Sequence, residues 1–150
     1  MTARPDQYSI HANCVIIGES GVLIRGPSGS GKSTLSLNLI SLTQKNGHFA
    51  RLIGDDRIFL EPMNGRLLAS GHPVIAGQIE MRGLGIGRLP HENRAVIRLL
   101  VDCDLVLNKR YPDHLDRFDT VLGLSIRRIN VTPQSAELVL AALGLGSLSI

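Results

Sequence analysis

The chain has 150 residues, of which 43% are hydrophobic and 19% charged, and its formal net charge is +3 at pH 7. This composition supplies enough apolar material for a core and excludes a wholly disordered chain, so we expect residues 1–150 to form a single domain. No apolar run approaches the ~20 residues that cross a bilayer, and the first ten residues lack the apolar segment of a secretory signal. A cytoplasmic protein with no membrane partner is therefore predicted.

The basic residues are scattered rather than clustered, Trp is absent, and the chain has only three Phe and two Tyr. Proteins that bind nucleic acid combine basic stripes with aromatic stacking platforms, so we expect no nucleic-acid partner. The two cysteines, Cys14 and Cys103, lie in apolar stretches and lack the spacing of a zinc site. Both are predicted to be small core residues.

The first half of the chain alternates apolar stretches with glycine-rich turns. Strands over residues 12–17 and 22–24 flank a tight turn, which predicts a β-hairpin. A mostly buried helix follows and ends near Asn46-Gly47. The next predicted elements are a strand over residues 49–54 and a hairpin whose arms are residues 57–60 and 66–69.

Glycines dominate the middle of the chain. Five of them interrupt residues 71–89 and no period is sustained, which predicts irregular backbone with at most a short helical turn near residues 74–78. Beyond it we predict strands over residues 95–101 and 105–107. A polar loop is predicted over residues 109–118.

A closing helix is predicted at the end of the chain. Thr132 is the expected N-cap, and Pro133 would lie in the first turn. The residues predicted to form the apolar face of this helix are Leu138, Val139, Ala142 and Leu143. Residues 144–150 are expected to fray or to dock on a neighbouring element.

A phosphate-binding motif lies between the second strand and the first helix. Its G-x-x-x-x-G-K-[ST] pattern is followed by an apolar helix, as in P-loop proteins. Glycines let backbone N–H groups converge on a phosphate, and the helix N-terminus adds partial positive charge. Lys32 is then expected to reach the β- and γ-phosphates, while the Ser33 hydroxyl ligates Mg²⁺. The residues predicted to bind the cofactors ATP and Mg²⁺ are Gly26, Pro27, Ser28, Gly29, Ser30, Gly31, Lys32 and Ser33.

The nucleotide base is inferred from a guanine-binding motif that the chain does not match. GTPases read guanine with an N-K-x-D motif, and Asn108-Lys109-Arg110 is followed by Tyr111 instead of Asp. Since the carboxylate that pairs with guanine is missing, adenine is favoured.

Two adjacent carboxylates, Asp55 and Asp56, close the strand that follows the predicted helix. Neighbouring strand residues point to opposite faces, so one carboxylate is placed to serve Mg²⁺ and the other an incoming hydroxyl. A hydrated turn whose charge is neutralised by Arg57 is the structural alternative.

Four segments of the chain form a specific combination. They are Ser9-Ile10-His11, the phosphate loop, L-I-G-D-D-R-I over residues 52–58, and I-E-M-R-G-L-G-I over residues 79–86. Together they resemble the catalytic domain of the HPr kinase/phosphorylase family, bacterial enzymes that phosphorylate a serine of the phosphocarrier HPr. The resemblance spans roughly residues 11–131. It implies an α/β fold: a P-loop nucleotide-binding domain with a mixed sheet, a β-hairpin before the P-loop, and a core like that of PEP carboxykinase.

The resemblance also implies roles for individual residues. The family's general base falls on Asp56, with Asp55 beside it near the metal, and the active-site histidine falls on His11. Glu80 would bind magnesium beside Ser33. The segment Leu115-Asp116-Arg117 is similar to the one that carries the family's catalytic arginine. The catalytic set implied in this way is His11, Lys32, Asp55, Asp56 and Arg117.

The implied function is ATP-dependent phosphorylation of a seryl residue of an HPr-type phosphocarrier protein, in regulation of the phosphotransferase system. The resemblance also implies a homo-oligomer, a hexamer. Longer family members carry a basic, glycine-containing segment linked to dephosphorylation, whereas here residues 128–131 run directly into Thr132-Pro133. This departure weakens the expectation of the reverse phosphorylase reaction.

Two alternatives stay open from the sequence. One is a nucleotide-sensing binding module that transfers no phosphate, and the other is a small-molecule kinase. A further open point concerns four arginines, which either present a positive surface to a partner or form an ordinary solvated face. These are Arg82, Arg88, Arg127 and Arg128.

Overall fold

A computed structural model describes residues 7–106 and 117–145, and within them the chain forms eleven strands and two α-helices. The strands are β1 (Tyr8–Ile10), β2 (Asn13–Ile17), β3 (Ser20–Arg25), β4 (Ala50–Gly54), β5 (Ile58–Met63), β6 (Arg66–Gly71), β7 (Gln78–Met81), β8 (Gly85–Arg88), β9 (Arg94–Cys103), β10 (Phe118–Val121) and β11 (Leu124–Val131). The helices are α1 (Lys32–Lys45) and α2 (Ala136–Ala142). Neither helix combines the length and apolar content that crossing a membrane requires.

Nine of these strands form one mixed sheet. Its main path runs β1-β5-β6-β9-β3-β2-β4. The long strand β9 pairs in parallel with β3 and, through its second half, with β11, while its first half pairs antiparallel with β6. Strand β10 pairs antiparallel with β11, and β7 and β8 form a separate two-stranded sheet. The predicted mixed sheet is confirmed, as is the β2–β3 hairpin before the loop at residues 26–33.

Side chains that alternate along the central strands feed two apolar clusters on opposite faces of the sheet. On β3, Val22 and Ile24 join a cluster with α1 and α2, whereas Leu23 joins a second cluster with residues of β5 and β6. The sheet therefore curls around the second cluster while both helices cover the first. Cys14 and Cys103 are buried, one in each cluster, as predicted.

Helix α1 agrees with its prediction. Leu35, Leu39 and Ile40 are buried against the sheet at helical spacing, and the helix ends at Asn46. The strand predicted over residues 49–54 and the following hairpin are present as β4, β5 and β6.

The prediction of irregular backbone over residues 71–89 is wrong. Only a short 3₁₀ turn at Pro73–Ile75 matches it, while β6 extends to Gly71 and β7 and β8 form a hairpin. Each strand of that hairpin has four residues, which is too short for a period to be detected. Ile79, which is 2% exposed, anchors the hairpin in the first cluster, so a tertiary contact stabilises these strands.

The predicted start of the closing helix is wrong by three residues. Ser135, not Thr132, occupies the N-cap position, and the two hydroxyl oxygens lie 2.7 Å apart. The buried positions of α2 are Ala136, Val139, Leu140 and Ala141. Leu138 is 45% exposed, so its assignment to the apolar face is wrong, whereas Val139 fits. Ala142 and Leu143 also pack against the first cluster, as predicted, and Ala136 with its neighbours at i+3 and i+4 completes the buried face.

Three other predictions concern the chain around the β9–β10 connection and its end. Leu105 lies outside any strand, while Leu107, the Asn108-Lys109-Arg110 segment and residues 109–116 of the predicted polar loop lie outside the described residues. Phe118 begins β10 rather than ending a loop. Leu145 packs against the first cluster, which fits docking, and residues 146–150 are outside the described part of the chain.

Candidate active site

The loop of residues 26–33 joins β3 to α1 and surrounds one ammonium group. Lys32, the first residue of α1, is largely buried, and its Nζ donates hydrogen bonds to the carbonyl oxygens of Gly26, at 2.9 Å, and Pro27, at 3.3 Å. The ammonium therefore lies inside the loop, next to the N-terminus of α1, where the structure shows no side-chain cap hydrogen bond among the described residues. These two sources of positive charge make the loop suited to bind an anion.

Glycine is required at two points of this loop by contacts with distant segments. Gly31 has φ +94°, and a Cβ there would lie 2.2 Å from Cγ of Pro133, in the turn before α2. At Gly26, a Cβ would lie 2.4 Å from the carbonyl oxygen of Cys103, at the end of β9. The loop is thus held between two other segments, and larger side chains would displace it.

The side chain of Cys103 contacts the loop of residues 26–33. Its thiol donates to the carbonyl oxygen of Ser30, with Sγ and O 3.4 Å apart. Burial, opposed by the charge of Lys32 and assisted by that of Asp104, raises the pKa of this thiol to about 11. The side chain therefore stays a neutral thiol at physiological pH, which agrees with its role as a packing residue.

An ion-pair network holds the end of β3, directly before the loop. Arg25 donates from Nε to Oδ1 of Asp102 and from a terminal nitrogen to Oδ2 of Asp119, both at 2.9 Å. Arg128 also donates to Asp102. Burial disfavours the charged guanidinium, but the two carboxylates outweigh it and raise the pKa of Arg25. Strand ends of β3, β9, β10 and β11 are joined in this way beside the loop.

The two adjacent aspartates have different surroundings. Asp55 is buried: Ser33 Oγ donates to its Oδ1 at 2.7 Å, and the Glu80 N–H donates to its Oδ2 at 2.9 Å. It therefore ties the start of α1 to β7. Asp56 is exposed and has a left-handed backbone with φ +63°.

Two clefts meet at these carboxylates. The first, of about 440 Å³, is lined by the loop together with Asp55, Asp56 and Glu80. The second, of about 410 Å³, is lined by the same three acidic residues and by His11 and His72. The two clefts therefore adjoin at a shared wall of three carboxylates.

Sheet topology explains why His11 reaches this place. Strand β2 is antiparallel to both β3 and β4, so its first residue lies at the edge where β3 enters the loop and β4 ends before Asp55. His11 lies two residues before the start of β2. The structure thus brings together His11, Lys32, Ser33, Asp55, Asp56 and Glu80 around the two clefts.

Arg117 is placed differently. It is exposed, it precedes β10, and neither cleft includes it among the lining residues that the structure describes. The segment that connects it to β9 falls at residues 107–116, outside the described chain. Its catalytic role stays a prediction from the family resemblance.

Two residues near the first cleft were not assigned to the site from the sequence. Arg82 lies over the loop, since a Cβ on Gly29 would be 3.6 Å from its terminal guanidinium nitrogen. Because Arg82 lies two residues after Glu80 in the I-E-M-R-G motif, the sequence could have indicated that it belongs to the site. Asn13 is fully buried and bonds to both aspartates, and a lone Asn at the start of an apolar strand gave no such signal.

The other three arginines are arranged in different ways. Arg128 pairs with Asp102, and Arg127 donates to the carbonyl oxygen of Ala142 at 2.8 Å. Arg88 is exposed at the end of β8. The two interpretations of these arginines, a partner surface and a solvated face, therefore stay predictions.

The donor set of the first cleft suits a hard cation. Ser33 and Glu80, the predicted magnesium ligands, both line it and offer oxygen atoms, as does Asp55. Among the described residues no group of three or more His, Cys, Asp or Glu converges as a metal cage. Mg²⁺ held by one or two carboxylates together with substrate phosphates does not need such a cage, so the residues fit it.

Comparisons with known proteins agree with this geometry. The family model of the HPr serine kinase C-terminal domain matches residues 4–132. An HPr kinase/phosphorylase from Mycoplasma mycoides subsp. mycoides is 34% identical over 139 residues, which cover 84% of this chain and 42% of that protein. One from Clostridium tetani is 41% identical over 81 residues, covering 54% of this chain and 25% of that protein. The chain thus spans less than half the length of these relatives.

A solved structure extends the likeness to three dimensions. The Hpr(Ser) kinase/phosphatase from Coxiella burnetii matches with a TM-score of 0.71 and 32% sequence identity, over 91% of this chain and 93% of that chain. The match includes the mixed α/β fold with its curled sheet.

Proposed function

Because the chain belongs to the family of HPr serine kinase C-terminal domains, we propose that it is an ATP-dependent protein serine kinase acting on an HPr-type phosphocarrier protein. One observation carries the proposal: the cleft at the loop and the cleft at His11 share Asp55, Asp56 and Glu80. A phosphate end held on one side would meet a hydroxyl presented on the other.

The loop side is proposed to hold the nucleotide. Main-chain N–H groups of residues 28–33 and the Lys32 ammonium would bind the phosphates, which is the positioning that phosphoryl transfer requires. Ser33 and Glu80 would hold Mg²⁺, which supplies charge neutralisation of the phosphate oxygens when bound. Arg82, above Gly29, adds a further positive group to this cleft.

Asp56 is the proposed general base. Both oxygens of Asp55 already accept hydrogen bonds, whereas Asp56 is exposed at the boundary of the two clefts. The serine oxygen would bond to the γ-phosphorus while the bond to the bridging oxygen breaks, ADP leaves, and the hydroxyl proton passes to Asp56. His11 and Arg117 are proposed to act on the hydroxyl side and on the transferred group, respectively.

The test is phosphorylation of a purified HPr-type carrier by ATP and magnesium, followed by intact mass. Asp56→Asn should lower the initial rate by about 10²- to 10⁴-fold because the variant has no base for the hydroxyl proton. Binding of Mg-ATP, measured by calorimetry, should persist. Glu19→Gln, an exposed carboxylate in the turn between β2 and β3, is the control and should keep the full rate.

Two results would contradict the proposal. Bound ATP with no phosphate on the carrier would favour a nucleotide-sensing module, and phosphate on a metabolite instead would favour a small-molecule kinase. Full activity in Asp56→Asn would remove that residue from its role. Incubating the phosphorylated carrier with inorganic phosphate tests the reverse phosphorylase reaction, which the departure after β11 makes us expect to be weak.

Further features of the proposal rest on the family. They are a single catalytic domain over residues 1–150, a core like that of PEP carboxykinase, a cytoplasmic location, and assembly into a homo-oligomer, a hexamer. Light scattering on the purified chain measures the assembly, and a monomer at all concentrations would contradict it.

A further inference from the structure

Asn13 is a polar residue in an apolar setting. It is the first residue of β2 and is 0% exposed, and its neighbours Ala12 and Cys14 belong to the second apolar cluster. A buried amide is costly unless its donors and its acceptor are all bonded. Its bonding partners therefore indicate why an amide stands at this position.

The partners of Asn13 are the two aspartates and helix α1. Nδ2 donates to Oδ1 of Asp55 at 2.6 Å and to Oγ of Ser36 at 3.1 Å, with Oγ of Ser33 at 3.5 Å. Oδ1 accepts the backbone N–H of Asp56 at 2.9 Å. The reverse orientation of the amide would set its oxygen against the Asp55 carboxylate and its NH₂ against the Asp56 N–H, so the network fixes this orientation.

The Asn13 side chain thus bonds to the two adjacent aspartates in opposite senses, as a donor to one and an acceptor from the other. It donates to the carboxylate of Asp55, which also accepts from Ser33 and from the Glu80 N–H. It accepts from the main chain of Asp56, whose carboxylate has no hydrogen-bond partner among the residues that the structure describes. The accepted bond also holds Asp56 in its left-handed conformation, which for a residue other than glycine needs support from its surroundings.

We infer that Asn13 is a positioning residue for phosphoryl transfer, which decides that Asp56, rather than Asp55, faces the incoming hydroxyl. The inference rests on the proposed function. Asn13 borders the first cleft but is 0% exposed, so it acts through the main chain of Asp56 and the carboxylate of Asp55. A merely structural amide would instead affect stability alone.

The test compares three variants in the carrier assay. Asn13→Leu removes both kinds of bond at similar volume and should lower kcat about 10²-fold, because the base is misplaced, while KM for Mg-ATP stays within about threefold. Asn13→Thr keeps a hydroxyl that donates and accepts, and should recover at least about tenfold of that loss. Ser36→Ala is the matched control, since it removes a buried bond of the same amide without touching either aspartate, and its kcat should change less than about threefold.

A second measurement reports the positioning without turnover. Hydrogen exchange at the Asp56 amide, followed by NMR, should speed up at least about tenfold in Asn13→Leu and stay unchanged in Ser36→Ala. Asn13→Leu with the kcat of Ser36→Ala, or with unchanged exchange at Asp56, would overturn the inference. If the unchanged protein transfers no phosphate to the carrier, the proposed function fails. The exchange comparison then still decides whether Asn13 holds the main chain of Asp56.

Discussion

The two clefts share a wall of carboxylates but are built in different ways. In the cleft at the loop, the groups suited to bind an anion come mainly from one continuous segment, residues 28–34, while the carboxylates and Arg82 come from elsewhere in the chain. The cleft at His11 takes its groups from the start of β2, the segment after β4, the turn near His72, and the β7–β8 hairpin. Anion binding is therefore encoded locally, whereas the surface offered to a hydroxyl depends on how distant segments meet.

The loop and the wall of carboxylates are also held in place by different kinds of contact. The loop is confined by close contacts, with Pro133 against Gly31 and the Cys103 carbonyl against Gly26. The acidic wall is held by hydrogen bonds from Asn13, Ser33 and the Glu80 N–H. Steric changes should therefore damage the loop, and loss of polar partners should damage the wall.

Among the variants that distinguish the two clefts, the largest expected effect is on the rate of phosphate transfer to the carrier. Lys32→Met should weaken Mg-ATP binding and lower transfer to the carrier by about 10²- to 10³-fold, because a charge aimed at the phosphates is lost. His11→Ala should lower transfer by about tenfold or more through a misplaced hydroxyl, with the dissociation constant for Mg-ATP unchanged. Initial rates and calorimetry on both variants measure the contrast.

His48→Ala, an exposed histidine between α1 and β4, is the control for this pair and should behave as the unchanged protein. Equal loss of nucleotide binding in Lys32→Met and His11→Ala would show that the two clefts act as one site. The assignment of nucleotide binding to one cleft and hydroxyl binding to the other would then be wrong.

A smaller effect is expected from crowding the loop. Gly31→Ala should destabilise the protein by about 1–3 kcal/mol, because its Cβ would overlap Pro133 and force the turn before α2 to move. Gly47→Ala is the matched control, since Gly47 has a similar φ of +80° and its Cβ would meet nothing within 4 Å. It should lose only the backbone contribution of about 1 kcal/mol. Denaturant unfolding measures both, and equal losses would contradict the contact with Pro133.

The smallest effect concerns acid stability at the end of β3. Burial raises the pKa of Asp119, but the hydrogen bond and charge of Arg25 outweigh it, with help from the Thr120 N–H and Arg128, so this pKa lies below its ordinary value. A lowered folded-state pKa stabilises the fold above the unfolded pKa, about 3.9, and the contribution is lost as pH falls through the folded value. Since the side chain is 41% exposed, solvent screening keeps the contribution below about 1 kcal/mol.

Asp119→Asn removes this titration. The unfolding free energy of the unchanged protein should therefore decline more steeply than that of the variant when pH is lowered from 5 toward 2, as measured by urea unfolding at each pH. Parallel curves would show that the pairing with Arg25 contributes nothing to acid stability.

Some features of this protein were determined by the sequence itself. The spacing of Gly26, Gly31 and Lys32 predicted the loop, and apolar residues at helical spacing predicted α1 to within a residue of its end. These signals are local, because a turn, a cap and a helix face each depend on residues a few positions apart. The His11 and Glu80 assignments came from resemblance, whereas Asp55 was also predicted from its position after an apolar strand, and the structure places all three around the two clefts.

Other features were decided only by the tertiary structure. The β7–β8 hairpin depends on burial of Ile79, the start of α2 on which face meets the sheet, and the role of Asn13 on antiparallel pairing that sets it beside β4. The free energy that stabilises these arrangements comes from partners tens of residues away. A short stretch of sequence does not contain both residues of such a contact. Only the folded chain therefore showed that the buried amide of Asn13 bonds to the carboxylate of Asp55 and to the main chain of Asp56.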